Sequence, residues 1–569
     1  MKFRIMVVAA LAAVTLASST LLADQPAAAT PVAEPAKEAS INTGDTAWML
    51  VSTGLVMFMV PGLALFYGGI VRRKNLLGTM MHSMVALGIV GVQWVLFGYA
   101  LSFGDSHGGW IGWNTDLLGL NGVLSDKPFS NTSIPIYVHC MYQGMFAIIT
   151  PALISGAIAE RIKFGPYCLF VFLWSALVYS PLAHWVWAVD AEGNPAGWLG
   201  KMGALDFAGG TVVHIAAGVS GLAAILCLRK RIGYPEHAMH PNSMVLTLFG
   251  AGILWFGWFG FNGGSGLGVG KGIAGAALTA TQVAAATAAL TWMLIEWIHR
   301  GKPTALGLAT GLVAGLVAVT PASGFVKPLG AMAIGVAVSA VCYTMLVLKP
   351  KLKYDDSLDA FGVHGIGGFV GAVLTGVFVS TELYKAGTGS SLADVCPIVS
   401  GNRAGQILVQ FSAAAVAIAF SFAMTFGLIK IIDLAWGFCL DPKDESDGLD
   451  YAVHGETAFD FGLGAEAVAA ASGLTEPKPA MVPPAGNRFT VVVDGSNNGE
   501  LMHVWSDLCK TDNVPPSPEF KAVYPYVTTV QGNRFRFRGG EPDKVAYQLA
   551  NLFGQRLPGR KIQARVEKS

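Results

Sequence analysis

Residues 47–440 carry only 35 Asp, Glu, Lys and Arg side chains in 394 positions, fewer than one in ten. The whole chain of 569 residues has 73 of them, with 31 after residue 440 and 7 before residue 47. Soluble globular chains devote about a quarter of their residues to charge. A body so poor in charge cannot clothe a water-facing surface, so its main solvent is lipid. The 70 glycines fit that reading, because small residues let membrane helices approach closely. A net charge of +1 gives no electrostatic basis for nucleic-acid binding.

The N-terminus reads as a signal peptide over residues 1–23. Lys2 and Arg4 are basic, Ile5–Leu16 is apolar, and Leu21-Leu22-Ala23 offers a cleavage site. A first membrane anchor is the other reading, but the apolar run is short for a span. An Ala/Pro-rich exported linker follows over 24–44. Beyond it the hydrophobic runs predict eleven spans: 47–70, 76–103, 136–159, 165–188, 205–228, 243–263, 272–298, 304–321, 326–348, 361–379 and 404–437. Five loops on one side carry 13 Lys and Arg, from Arg72 to Lys353, and the opposite loops carry 6. The positive-inside rule then places the mature N-terminus outside and the C-terminus in the cytoplasm of a cell with this protein in its inner (plasma) membrane. The 7 cysteines are scattered singly, which implies neither a disulfide framework nor a metal site.

Two echoes recur five spans apart. Phe66-Tyr67-Gly68-Gly69 closes the first span and Phe261-Asn262-Gly263-Gly264 the sixth, while Val213-His214 lies in the fifth and Val363-His364 in the tenth. Five helices per copy is an odd number, so the second copy is upside down relative to the first. The expected fold is an all-α membrane protein with a 5+5 inverted repeat. In transporters of this kind the substrate path lies at the interface of the repeats.

Ionisable side chains inside spans are functional candidates because burying them is costly. They are His82, His139, Glu160, His184, Asp206, His214, Glu296 and His364. Glu160 and Glu296 sit beside Arg161 and Arg300 and are expected to pair there. His139 and His184 lie near outer ends, within reach of polar groups or water. His214 and His364 are pseudo-symmetric and lie on Gly/Ala-rich helices. Two neutral imidazoles facing each other, one ring nitrogen donating and one accepting, hold a small polar molecule or relay a proton without a metal. Asp206, eight residues before His214, either caps that helix or favours a nearby cation, and spacing does not separate the two. Trp187 ends the fourth span, where an indole face attracts small cations. Phe146 and Phe261 read by themselves as core packing.

Four runs then make a family recognisable. Pro61–Gly69 (PGLALFYGG), Asp206–His214 (DFAGGTVVH), Gly257–Ser265 (GWFGFNGGS) and Asp359–Gly365 (DAFGVHG) resemble signatures of the ammonium transporter (Amt/Mep/Rh) family, closest to its bacterial Amt branch. The likeness runs in order from about residue 45 to 462 and ends in Gly448-Leu449-Asp450 and His454-Gly455-Glu456, which resemble the family's cytoplasmic C-terminal region. It implies a homotrimer with one path per subunit, a lipid environment, and a cytoplasmic PII-type regulatory protein as partner. By position it implies external recruitment of ammonium by Trp187 and Ser265 with the ring of Phe146. It further implies a phenyl gate of Phe146 and Phe261, a pore lined by His214 and His364, and Asp206 as support. Tyr142 stands where bacterial members often have Phe, and the loop from Val189 to Leu205 is longer than the pattern.

The implied chemistry answers a physical problem. Ammonium and potassium share charge and approximate size, but only ammonium can lose a proton. A mouth that concentrates the cation, followed by an apolar pore with neutral histidines, admits NH3 and refuses ions that cannot shed their charge. The proton crosses separately, along the histidines or ordered water. No nucleophile–base pairing or cofactor motif stands out, so an enzyme is not expected.

The expected organisation is a membrane domain over 45–440, a cytoplasmic C-terminal region over 441–464, a linker over 465–487 and a soluble module over 488–569. The module's pattern predicts strand 489–494, helix 498–511, strands 520–530 and 533–538, helix 541–555 and strand 561–567. This βαββαβ order suggests a small ferredoxin-like α+β fold. Asn533–Arg538 alternates Phe inward with Arg outward. The arginine face is either simply solvated or a docking surface for an acidic partner, nucleotide or anionic lipid. The leading reading of the whole chain is a transporter. The alternative is an ammonium sensor that signals through the added module.

Overall fold

In lipid each backbone polar group needs a partner within its own segment, so long apolar runs become helices. The computed structural model describes residues 40–459, apart from 237–238 and 389–394, and residues 488–567, apart from 511–522, 524–526, 532 and 539–540. The expected signal peptide, most of the exported linker and the 465–487 linker lie outside the described residues.

Among the described residues ten helices are long and apolar enough to cross a membrane. They are α1 (Thr43–Ile70), α2 (Arg73–Phe103), α3 (Ile136–Ile158), α4 (Phe164–Trp187), α5 (Gly210–Cys227) and α6 (Met244–Gly266). After these come α7 (Ile273–Arg300), α9 (Pro328–Leu352), α10 (Phe361–Phe378) and α11 (Arg403–Trp436). The run expected at 304–321 forms a shorter helix, α8 (Ala305–Val319). Its 15 residues rise about 22 Å, less than the roughly 30 Å of a hydrocarbon core. Side-chain caps mark several starts: Asn42 on α1, Ser243 on α6, Thr304 on α8 and Asn402 on α11 each accept a first-turn N–H.

α1 packs along α6, α7 lies between α8 and α9, and α5 is held against α10 and α11. The rim is apolar where a soluble protein would be polar. Leu329 is 80 % exposed and Leu434 90 %. A lipid-facing surface explains both.

A buried ion network ties the ends of these helices together near Glu160. Arg231 bridges Glu160 and Asp355 at 2.7 Å each, Arg72 reaches Glu160 at 2.9 Å, and Arg161 pairs with Asp355. The expectation that Glu160 pairs with Arg161 is therefore corrected. Glu160 itself has φ +72°, and the side chains of Glu160 and Arg161 turn to different partners. Glu296 does meet Arg300, loosely at 3.6 Å, and also accepts from the backbone and hydroxyl of Thr304 at 2.9 Å. Two short helices, α12 (Pro442–Asp447) and α13 (Leu449–His454), dock on this end. The Gly78 N–H donates to Asp450 and the Leu449 N–H to Asn75, while Arg229 pairs with Glu445.

A two-residue hairpin, β1 (Ser106–His107) with β2 (Ile111–Gly112), follows α2. The described residues of 488–567 form a separate compact unit. Its elements are β3 (Arg488–Asp494), α14 (Asn498–Lys510), β4 (Val527–Gln531), β5 (Arg534–Arg538), α15 (Pro542–Arg556) and β6 (Gln563–Glu567). The sheet is antiparallel with order β4-β5-β3-β6. Val491, Val493, Phe535 and Phe537 share one face and form a core with Trp505, Leu549 and Phe553. Arg534 and Arg536 project from the other face, as the period of two requires.

Candidate functional site: a histidine pair between two vestibules

α5 and α10 begin in the same way. Gly209, at φ +111°, turns the chain into a conformation that side chains resist, and α5 starts on the next residue. The N–H groups of Gly209, Gly210, Thr211 and Val212 all donate to the Asp206 carboxylate, at 2.5–3.0 Å. At α10 the N–H groups of Ala360 and Phe361 donate to the Asp356 carboxylate at 3.0 and 2.8 Å. A carboxylate at a helix N-terminus satisfies orphan donors and opposes the positive end of the helix dipole. Each helix then opens with a widened π-helical turn, Gly210–Ile215 and Phe361–Gly365, and each turn contains a histidine. Such turns recur at functional sites because they re-aim a side chain.

Small residues let the two turns meet. A Cβ on Gly218 would lie 2.0 Å from the Gly365 nitrogen, so only hydrogen fits there. The contact brings His214 and His364 together with Nδ1 atoms 3.3 Å apart and ring planes 22° from parallel. One nitrogen must donate and the other accept, which requires opposite tautomers. His214 also stacks on Trp258 at 5.4 Å, and among the described residues its Nε2 is buried without a partner.

Open space lies on both sides of the pair. One vestibule, about 570 Å³, is lined in part by Phe146, Trp187, Asp206 and Ser265. Trp187 donates its indole N–H to the Asp206 carbonyl at 2.8 Å, which fixes the ring and leaves its face free. Ser265 donates to the Phe261 carbonyl at 2.8 Å and lies 3.1 Å from the Tyr142 hydroxyl. At the floor the Phe146 and Phe261 rings approach to 4.3 Å between centroids, and Phe146 meets Trp187 at 6.0 Å. Beyond them is a narrow space of about 10 Å³, lined by His214, His364, Phe66, Phe261, Trp258 and aliphatic side chains, with no charged group among the described residues there. That is close to the minimum that holds one water-sized molecule. A second vestibule of about 420 Å³ opens on the far side, where His364 shares the wall with Lys349 and Asp359.

A model of the Ammonium Transporter Family matches residues 47–459. The chain belongs to the ammonium transporter family. The Bacillus subtilis ammonium transporter is 46 % identical over 422 residues, spanning 74 % of this chain and 99 % of the relative. Among solved structures, Saccharomyces cerevisiae Mep2 is 36 % identical with a TM-score of 0.65, over 71 % of this chain and 89 % of that one. A structure described as a sensor Amt protein is 28 % identical with a TM-score of 0.65, over 72 % of this chain and 98 % of that one. The protein is thus a multi-pass membrane protein of a family that transports ammonium, and the unit after residue 459 lies outside the family match.

In this transporter the residues singled out from sequence line two cavities: Trp187, Ser265 and Phe146 one vestibule, and Phe261, His214 and His364 the narrow space. Asp206 lies before the helix rather than on it, so two turns of helix do not separate it from His214. Of the two readings left open, capping is the one its hydrogen bonds describe. His139 and His184 do find polar partners, at Tyr99 and at Ser106 with the Ser102 carbonyl. Tyr142 turns its hydroxyl to the Gly260 and Phe261 carbonyls and to Ser265. Asp356, the counterpart of Asp206, is absent from the sequence reading. Its signal was available, since it precedes His364 by the same eight residues that separate Asp206 from His214.

Proposed function

We propose that the protein recruits NH4+ at Trp187, Ser265 and the ring of Phe146, removes its proton beside Phe146 and Phe261, and conducts NH3 past His214 and His364. The indole and phenyl faces attract the cation by up to about 2 kcal/mol when it is partly dehydrated. Ser265 and nearby carbonyls accept its hydrogen bonds. Carrying a full charge through the narrow apolar segment costs several kcal/mol that nothing there repays, for potassium and ammonium alike. Ammonium escapes that cost by splitting into NH3 and H+. NH3 donates and accepts at the imidazoles, and the proton passes separately along the hydrogen-bonded pair or ordered water. The observation that carries this reading is the charge-free lumen joined to a histidine pair at 3.3 Å. Currents in proteoliposomes carrying His214→Ala or His364→Ala test it. Wild-type selectivity for ammonium over potassium in both variants would sink the role of the histidines.

The same reading includes eleven spans in a 5+5 inverted repeat, and the matched pairs Asp206/His214 and Asp356/His364 support it. It places the Trp187 vestibule outside and the Asp359 vestibule in the cytoplasm. It takes the protein as a homotrimer in the plasma membrane, with a cleaved signal over 1–23 and a membrane domain over 45–440. The cytoplasmic region 441–464 and a linker over 465–487 lead to a ferredoxin-like module over 488–569. The β4-β5-β3-β6 order supports that last assignment. We assign the module a regulatory role, alongside a PII-type partner. Deleting 470–569 is expected to alter control of transport and to spare conduction.

The added unit also favours a second reading, a sensor that binds ammonium and signals through it. Methylammonium uptake by transport-deficient cells expressing the chain separates the two: uptake supports the transporter, and binding without uptake the sensor.

A further inference from the structure

Two polar groups in the Trp187 vestibule have no part in the recruitment site. His139 and Gln143 lie one turn apart on α3 and both line this vestibule, followed three residues later by Phe146. His139 is 0 % exposed. Its Nδ1 lies 2.9 Å from the Tyr99 hydroxyl and its ring stacks on Phe129 at 3.5 Å and 7°. Among the described residues its Nε2 is buried without a partner, and so is the Oε1 of Gln143. Buried polar atoms left unpaired cost about 1–3 kcal/mol each and call for an explanation. Asp45 lines the same cavity and accepts from the Val269 N–H at 2.8 Å and from the Ser133 hydroxyl.

We propose that Gln143 Oε1 and His139 Nε2 form a second cation station, which receives ammonium before Trp187 and Ser265 and passes it along α3 to Phe146. The inference rests on the recruitment reading above and adds a site to it. When His139 donates from Nδ1 to Tyr99, its Nε2 presents a lone pair. That lone pair and the amide carbonyl suit a small cation with several N–H donors. Potassium donates no hydrogen bond, so a station with one carbonyl and one imidazole nitrogen favours ammonium at the mouth. The packing of His139 between Phe129 and Tyr99 fixes the ring, so no ordering cost falls on binding.

The test is the ammonium concentration that gives half-maximal current in proteoliposomes. Gln143→Leu is expected to raise it about tenfold, the loss of one hydrogen bond to a charged group. His139→Phe, which keeps the stack on Phe129, is expected to raise it by roughly half that factor. Gln143→Glu keeps the shape and adds charge, and is expected to lower it. Values within twofold of wild type in all three, with Trp187→Leu still raising it, mean that the pair holds only water, and the inference fails alone. No change in Trp187→Leu either means that the recruitment reading itself fails. If Gln143→Leu does not assemble, Gln143→Glu decides: an unchanged or raised value overturns the station.

Discussion

The Nδ1 atoms of His214 and His364 lie 3.3 Å apart across the junction of α5 and α10, and among the described residues no charged side chain lines the narrow 10 Å³ space beside them. The pair is coupled: each ring is the other's partner. Replacing either by Ala leaves a buried nitrogen unsatisfied, at about 1–3 kcal/mol. The double variant removes both groups, so its loss should be smaller than the sum by at least about 0.5 kcal/mol. Thermal midpoints in detergent for the two single variants and the double variant measure this. Strict additivity would mean that the contact contributes nothing.

Asp206→Asn keeps the size and removes the charge. Four N–H donors then face an amide with one oxygen, and its NH2 group opposes some of them. A loss of at least about 2 kcal/mol is expected, with weaker recruitment if the loosened turn shifts the Asp206 main-chain carbonyl that holds the Trp187 indole. Asp356→Asn, with two such donors, should lose less. Melting midpoints and uptake at low ammonium report both.

Arg231→Met removes one of two cations from each buried carboxylate, leaving Glu160 with Arg72 and Asp355 with Arg161, and should destabilise by about 1.5–3 kcal/mol. Burial pushes the Glu160 carboxyl up, but Arg231 and Arg72 outweigh it and hold it below its ordinary range. Asp355 is likewise raised by burial and lowered further by Arg231 and Arg161. Acids depressed in the folded state stabilise it above their unfolded values, near 4.5 and 3.8, and lose that contribution as pH falls through the folded values. Wild-type melting points should therefore drop on acidification below about pH 4.5, whereas Arg231→Met, whose carboxyls are held down less, should drop less. The same fall in both proteins would count against the network.

Gly218→Ala should separate the two histidine-bearing turns, because its new methyl meets the Gly365 backbone rather than a flexible side chain. A loss of about 1–3 kcal/mol and reduced transport are expected. Gly252→Ala, on α6 with nothing within 4 Å, is the control and should be neutral or stabilising by up to about 1 kcal/mol. Equal effects at the two glycines would show that the crossing is not tight.

Much of the fold was legible because lipid enforces a simple rule. Runs such as 136–159 and 404–437 have no hydrogen-bonding solvent, so each forms a helix within a few residues of where the apolar run predicts it. The run at 304–321 became a shorter helix, since Thr304 caps its start and its chain turns at Thr320–Ala322. The fifth helix begins at Gly210 instead of 205 because the Asp206 carboxylate takes the donors that would continue it backward. Hydrophobicity cannot register that event.

The sequence by itself determined the solvent, the helical class and the family, because charge density and contiguous motifs are properties of the chain order. Tertiary structure alone decided who faces whom. Glu160 pairs with Arg231, 71 residues away, instead of its neighbour, because a helix end turns adjacent side chains in different directions. His214 and His364 share a contact across 150 residues only because two glycines allow their backbones to touch. Pairing at such distances depends on packing in three dimensions, which local patterns do not encode.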